Sequence, residues 1–124
     1  MNLKCILCSI LAAVSFAAYC QPANPFLGKW KVTWNGAKRV WEAKLIINAT
    51  GGSWQQLSSF HLDTCSGKEA PIAIESSSDK TMTIKLKYSV ALAGCPDSEV
   101  TLQQVDEKTF TGKRGKVDMV LSRE

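Results

Sequence analysis

Phe26-Leu27-Gly28-Lys29-Trp30-Lys31-Val32-Thr33-Trp34-Asn35 is the stretch that decides the fold of this chain. Trp30, Val32 and Trp34 alternate with Lys29, Lys31 and Thr33, the period of two by which a strand buries one face and wets the other. The spacing predicts a first strand from about Gly28 to Asn35. Asn35-Gly36 ends it in a tight hairpin turn, because Asn and Gly accept the positive φ that such turns require.

The same alternation recurs downstream. Trp41, Ala43, Leu45 and Ile47 share one face of a second strand, with Glu42, Lys44 and Asn48 on the other, and Thr50-Gly51-Gly52 turns the chain back. A third strand carries Trp54, Phe60 and Leu62 at one parity, with Gln56 and Ser58 set between them. Asp63 to Pro71 is polar and irregular, a longer loop, and Ile72 and Ile74 mark a short fourth strand. The fifth is the most regular: Met82, Ile84, Leu86, Tyr88 and Val90 alternate with Thr81, Thr83, Lys85, Lys87 and Ser89. Val100 and Leu102 define the sixth, Phe110 and Gly112 the seventh, and Val117, Met119 and Leu121 the eighth. Eight short strands joined mostly by tight turns, with no helix, predict an all-β fold. The expected form is an eight-stranded antiparallel up-and-down barrel, with a two-sheet β-sandwich as the alternative.

Connection parity adds detail. In a meander the odd-numbered connections all lie at one end, and Cys65 and Cys95 fall in the third and fifth of them. Two cysteines of an exported chain pair, and closing a loop of about 31 residues removes roughly 3.5 to 4 kcal/mol of unfolded-state entropy on the chain-entropy model. At the opposite end, Trp30 opens the first strand and Arg123 closes the last at inward parity, so barrel closure lays Arg123 across the Trp30 indole.

The chain has 124 residues and five cysteines. Residues 1–20 read as a signal peptide: Lys4 supplies the positive start, and Ile6 to Ala18 form an apolar run too short to span a bilayer. Cleavage after Ala17 or Cys20 leaves about 104 residues. Residues 21–26 are then an extended leader and 27–124 a single β-barrel domain. Export to the periplasm or beyond follows. A lipid anchor at Cys20 is the rival location, against which stands the bulky Tyr19 before it.

A Phe-x-Gly-x-Trp opening, here Phe26, Gly28 and Trp30, with a terminal arginine, here Arg123, resembles the calycin superfamily of lipocalins, fatty-acid-binding proteins and avidins. The resemblance implies a barrel closed at the Gly28, Trp30 and Arg123 end and open for a ligand at the other. The chain lacks the C-terminal helix of a lipocalin and looks most like the helix-free avidin type. The polar ring-binding residues of avidins have no counterpart here, so biotin binding is not implied.

Charge and inventory narrow the function. The formal charge is +4, and the lysines and arginines fall mostly at outward strand positions, which argues against a nucleic-acid groove. His61 is the only histidine, leaving no histidine-based triad and no His-rich metal site. No two acids share neighbouring inward positions for acid–base work. The expectation is therefore a non-enzymatic binding protein without metal or cofactor, holding a small, partly apolar ligand at the open end. Trp34, Trp41, Gln56, Ser58, Tyr88 and Arg114 would line it. Gln56 and Ser58 are polar at inward parity and need partners, since an unpaired buried polar group costs about 1 to 3 kcal/mol. Arg114 faces inward if the seventh strand reaches it, and turns to solvent if the strand ends first. The alternative function is a protein-binding platform, such as a secreted-enzyme inhibitor or immunity-type protein, using the mouth loops stapled by Cys65 and Cys95. Interior volume separates the two: a carrier needs a cavity of a few hundred Å³, and a platform does not.

Overall fold

Each strand of the chain pairs with the next one in sequence, and the last returns to the first. The computed structural model describes residues 24–57 and 63–124. In order these are β1 (Gly28–Asn35), β2 (Val40–Asn48), β3 (Gly51–Leu57), β4 (Ala70–Ser77), β5 (Thr81–Leu86), a four-residue helix α1 (Tyr88–Ala91), β6 (Ser98–Gln104), β7 (Phe110–Arg114) and β8 (Val117–Arg123). All the pairings are antiparallel, and β1 meets β8 with Trp30 opposite Arg123 and Val32 opposite Leu121. The barrel is closed, which rules out the sandwich alternative. Among the described residues no helix is long and apolar enough to cross a membrane.

Alternation along the strands places the core as the sequence pattern requires. Trp30, Val32 and Trp34 from β1, Ala43, Leu45 and Ile47 from β2, Trp54 from β3, and Met82, Ile84 and Leu86 from β5 are buried together with Val100, Leu102, Phe110, Met119 and Leu121. Water has almost no access to these side chains, so the interior is packed rather than hollow. Outside, cross-strand ion pairs such as Lys31 with Glu42 at 3.4 Å and Lys113 with Asp118 at 3.8 Å account for several of the outward charges.

Four local expectations are corrected. The strand predicted through Val90 ends at Leu86: Lys87 N–H donates to the Pro71 carbonyl at 2.8 Å, and the chain then coils into α1, leaving Val90 67% exposed. Tyr88 is buried even so. Gly51 and Gly52 belong to β3 and do not form the turn, which falls at Ala49-Thr50. Gly52 has φ +147°, and a Cβ there would run into the Ile46 carbonyl, so glycine is what allows β3 to lie so close to β2. Ala70 and Pro71, read as loop, open β4. Finally, Asn24 to Phe26 turn rather than run extended: Asn24 Oδ1 accepts from the Phe26 N–H at 2.9 Å, and Phe26 is seated in the core. Ser58, Phe60, His61 and Leu62 lie outside the described residues, as does the segment 1–20 read as a signal peptide.

The end where β1 begins is sealed. Trp30 Nε1 donates to the Phe26 carbonyl at 2.9 Å, and Phe110 packs against both Phe26 (5.7 Å, edge-on) and Trp30 (4.6 Å). The Arg123 guanidinium lies 4.1 Å from the Trp30 ring centre and donates to the carbonyls of Leu27 (2.9 Å) and Pro25 (2.7 Å). Gly28, at φ +130°, makes room for it, because a Cβ there would stand 3.0 Å from Arg123 Nη1. At the other end Cys65 and Cys95 form the expected disulfide, with Cα atoms 5.6 Å apart.

Candidate functional site

The disulfide ties the loop before β4 to the loop that runs from α1 to β6, and between these loops and the end of β7 lies an open recess of about 380 Å³. Asp63, Ser66, Tyr88, Asp97, Ser98 and Arg114 line it, with Cys65 at its edge. It sits above the last layer of core, where Trp34 and Trp54 stack with ring centres 5.9 Å apart. Arg114 belongs to β7 and takes the inward parity, so its side chain covers that pair: the guanidinium carbon is 5.5 Å from the Trp34 ring and 5.9 Å from the Trp54 ring.

Electrostatically the recess is divided. Asp97 is committed, accepting from the Ser89 N–H at 2.9 Å and pairing with Lys87 at 3.6 Å, and these bonds hold its carboxyl below the usual range. Asp63 accepts from both the Ser66 N–H (2.9 Å) and the Ser66 hydroxyl (2.8 Å), which likewise keeps it ionised, but among the described residues it meets no cation. Arg114 makes neither an ion pair nor a hydrogen bond among the described residues, which include every carboxylate side chain of the protein. Burial pushes the Tyr88 phenol up, the Arg114 charge acts the other way, and Tyr88 remains a neutral donor and acceptor at physiological pH.

Among the described residues two buried side-chain polar atoms lack a hydrogen-bond partner, and both belong to this region: Trp54 Nε1 and Ser98 Oγ. The Trp54 N–H lies close enough to the Tyr88 oxygen to favour its phenolate slightly, yet not in bonding geometry. The indole N–H and the guanidinium can only donate, and the two hydroxyls can donate as well. The unmet demand of the site is for acceptors.

Of the residues expected to form the site, the structure brings Trp34, Tyr88 and Arg114 together with Trp54. Trp41 pairs with Trp34 across the β1–β2 ladder, but its indole packs over Gly36 under the Arg39 guanidinium, outside the recess. Gln56 is half-buried opposite Ala43 and does not line the recess, and Ser58 is outside the described residues. Asp63, Ser66 and Asp97 were missed because they sit in loops, where parity says nothing; Ser98 opens β6 at the parity of the buried Val100 and Leu102, a signal that was passed over. For the loop residues, nearness to Cys65 and Cys95 was the available signal. A larger depression of about 770 Å³ lies on the outer wall over β6, β7 and β8, where Lys113 and Asp118 neutralise each other and neither unpartnered atom is found. The mouth recess is the better candidate on chemistry.

Comparison with known proteins gave no matching family model, no matching curated protein and no matching solved structure.

Proposed function

We propose that this protein is an exported, non-enzymatic binding protein that takes a small acidic ligand in the recess at the barrel mouth. The observation that carries the reading is the Arg114 guanidinium held over Trp34 and Trp54 with no anion of the chain beside it. A carboxylate entering there would receive charge-assisted bonds from Arg114 and supply the acceptor that Ser98 lacks. The recess is within the size range of small-ligand sites. Export is supported by the disulfide. The calycin-like reading is supported by Arg123 lying across Trp30 at the sealed end of a closed eight-stranded barrel.

The packed interior favours a second occupant for the same site. Nothing can be swallowed below Trp34 and Trp54, so an acidic side chain of a partner protein would reach Arg114 as readily as a free ligand. Native mass spectrometry of protein purified from its own source separates the two. A retained mass of small-molecule size, lost in Arg114→Gln, is the expected result; a protein-sized adduct would replace the ligand reading with the platform, and an adduct unchanged in Arg114→Gln would end both.

A further inference from the structure

The recess carries charges of both signs, and one of each is unpaired with the other. Arg114 lies on the β7 wall over the tryptophans. Asp63 lies on the loop wall beside Cys65, its two oxygens each accepting one bond from Ser66 and each keeping lone-pair capacity. Asp97, the other acid of the recess, already has Lys87 and the Ser89 N–H. An ionised cation and an ionised carboxylate that face the same small space without meeting each other define a dipolar site.

We infer that the ligand is a zwitterion of dipeptide size, its carboxylate on Arg114 and its ammonium on Asp63. Size supports the length. A space of 380 Å³ is about 7 Å on an edge if taken as a cube, and two extended residues span about 7 Å, whereas a single α-amino acid holds its charges much closer together. Chemistry supports a peptide unit between the charges. The Ser98 hydroxyl, buried and without a partner among the described residues, can donate to a carbonyl, and Tyr88 lines the same recess.

This inference rests on the reading of the mouth as a ligand site, and the test keeps the two apart. The probes are alanylphenylalanine, its N-acetyl derivative and its C-terminal amide, titrated against the disulfide-intact protein by calorimetry and tryptophan fluorescence. The free dipeptide binds, and masking either end weakens it by at least about tenfold, the loss expected of one charge-assisted contact. In Asp63→Asn, which keeps an acceptor for Ser66, the N-acetyl and free forms bind alike. In Arg114→Gln the amide and free forms bind alike. If the N-acetyl dipeptide binds the unaltered protein as well as the free one, or if none of the three binds at millimolar concentration, the zwitterion inference is overturned. Arg114-dependent retention of an acidic ligand in native mass spectrometry would still sustain the broader reading, and its absence would remove that as well.

Discussion

Both ends of the barrel hold an arginine over a tryptophan, and the two pairs are opposites. At the sealed end Arg123 is 4.1 Å from the Trp30 ring and its guanidinium is bonded to two backbone carbonyls, while the indole N–H has the Phe26 carbonyl. At the mouth Arg114 stands 5.5 Å and 5.9 Å from two indole rings, and among the described residues neither its guanidinium nor the Trp54 N–H below it has a bonding partner. The same two side-chain types thus serve as a finished joint in one place and an unfinished one in the other. Satisfied donors contribute to folding; unsatisfied ones cost stability until something binds.

That contrast breaks or sharpens through stability measurements. Trp30→Ala should be the most damaging change, costing about 3 to 5 kcal/mol in chemical denaturation as a buried aromatic is removed, and Trp34→Ala at the mouth should cost clearly less. Equal losses would mean that the two stacks carry equal weight in the fold. Next is the disulfide: Cys65→Ser with Cys95→Ser should lower stability by roughly 3.5 to 4 kcal/mol on the chain-entropy model, with loss of ligand retention following because the staple frames the recess. Third, Arg123→Ala should cost about 1.5 to 2 kcal/mol, the lower part of the range for charged hydrogen bonds because the side chain is exposed, whereas Arg114→Ala should leave the melting temperature nearly unchanged. A destabilising Arg114→Ala would show that its place over the tryptophans is structural.

Acidity should test the loops separately. Asp63, Asp97 and Asp106 all have carboxyls held below their ordinary value by bonds from nearby backbone N–H groups and hydroxyls. A depressed folded pKa contributes stability above the unfolded value and loses it as pH falls through the folded one. The melting temperature should therefore hold from neutrality to about pH 5 and decline below about pH 4, less steeply in Asp97→Asn. The smallest effect concerns Tyr88, the only tyrosine of the described residues. Its alkaline absorbance titration should have a midpoint above the free phenol value of about 10, and Arg114→Gln should move it higher still, since the guanidinium favours the phenolate. A midpoint unmoved by that change would separate Arg114 from Tyr88.

Much of the barrel was legible because β-structure writes burial into every second residue. Trp30 opposite Arg123 could be placed from parity and closure alone, as could the meeting of Cys65 and Cys95. What failed was local order set by distant partners. Tyr88-Ser89-Val90 continues the alternation of β5 without fault, yet Asp97, eight residues on, takes the Ser89 N–H while Pro71 takes that of Lys87, and the strand stops. Gly51-Gly52 looked like a turn because glycine marks turns, whereas here it lets two strands approach. The site divides in the same way. Tyr88 and Arg114 lie at inward parity and were found; Asp63 and Asp97 depend on how two loops fold over a disulfide; and the Trp54 N–H is notable only for what fails to reach it.

The closure of β1 on β8 has a practical corollary. Asn24 and Glu124 both lie at the sealed end, where the Glu124 N–H donates to the Lys29 carbonyl at 3.0 Å and Arg123 reaches back to Pro25. A tether joined to either end of the barrel therefore leaves from the face opposite the recess. Coupled to a sensor chip or a carrier domain through Glu124, the molecule would stand with its mouth to the solution, and in a chain cut back to Asn24 a short linker from Glu124 to Asn24 would make a circle without touching the loops that hold Arg114 and Asp63.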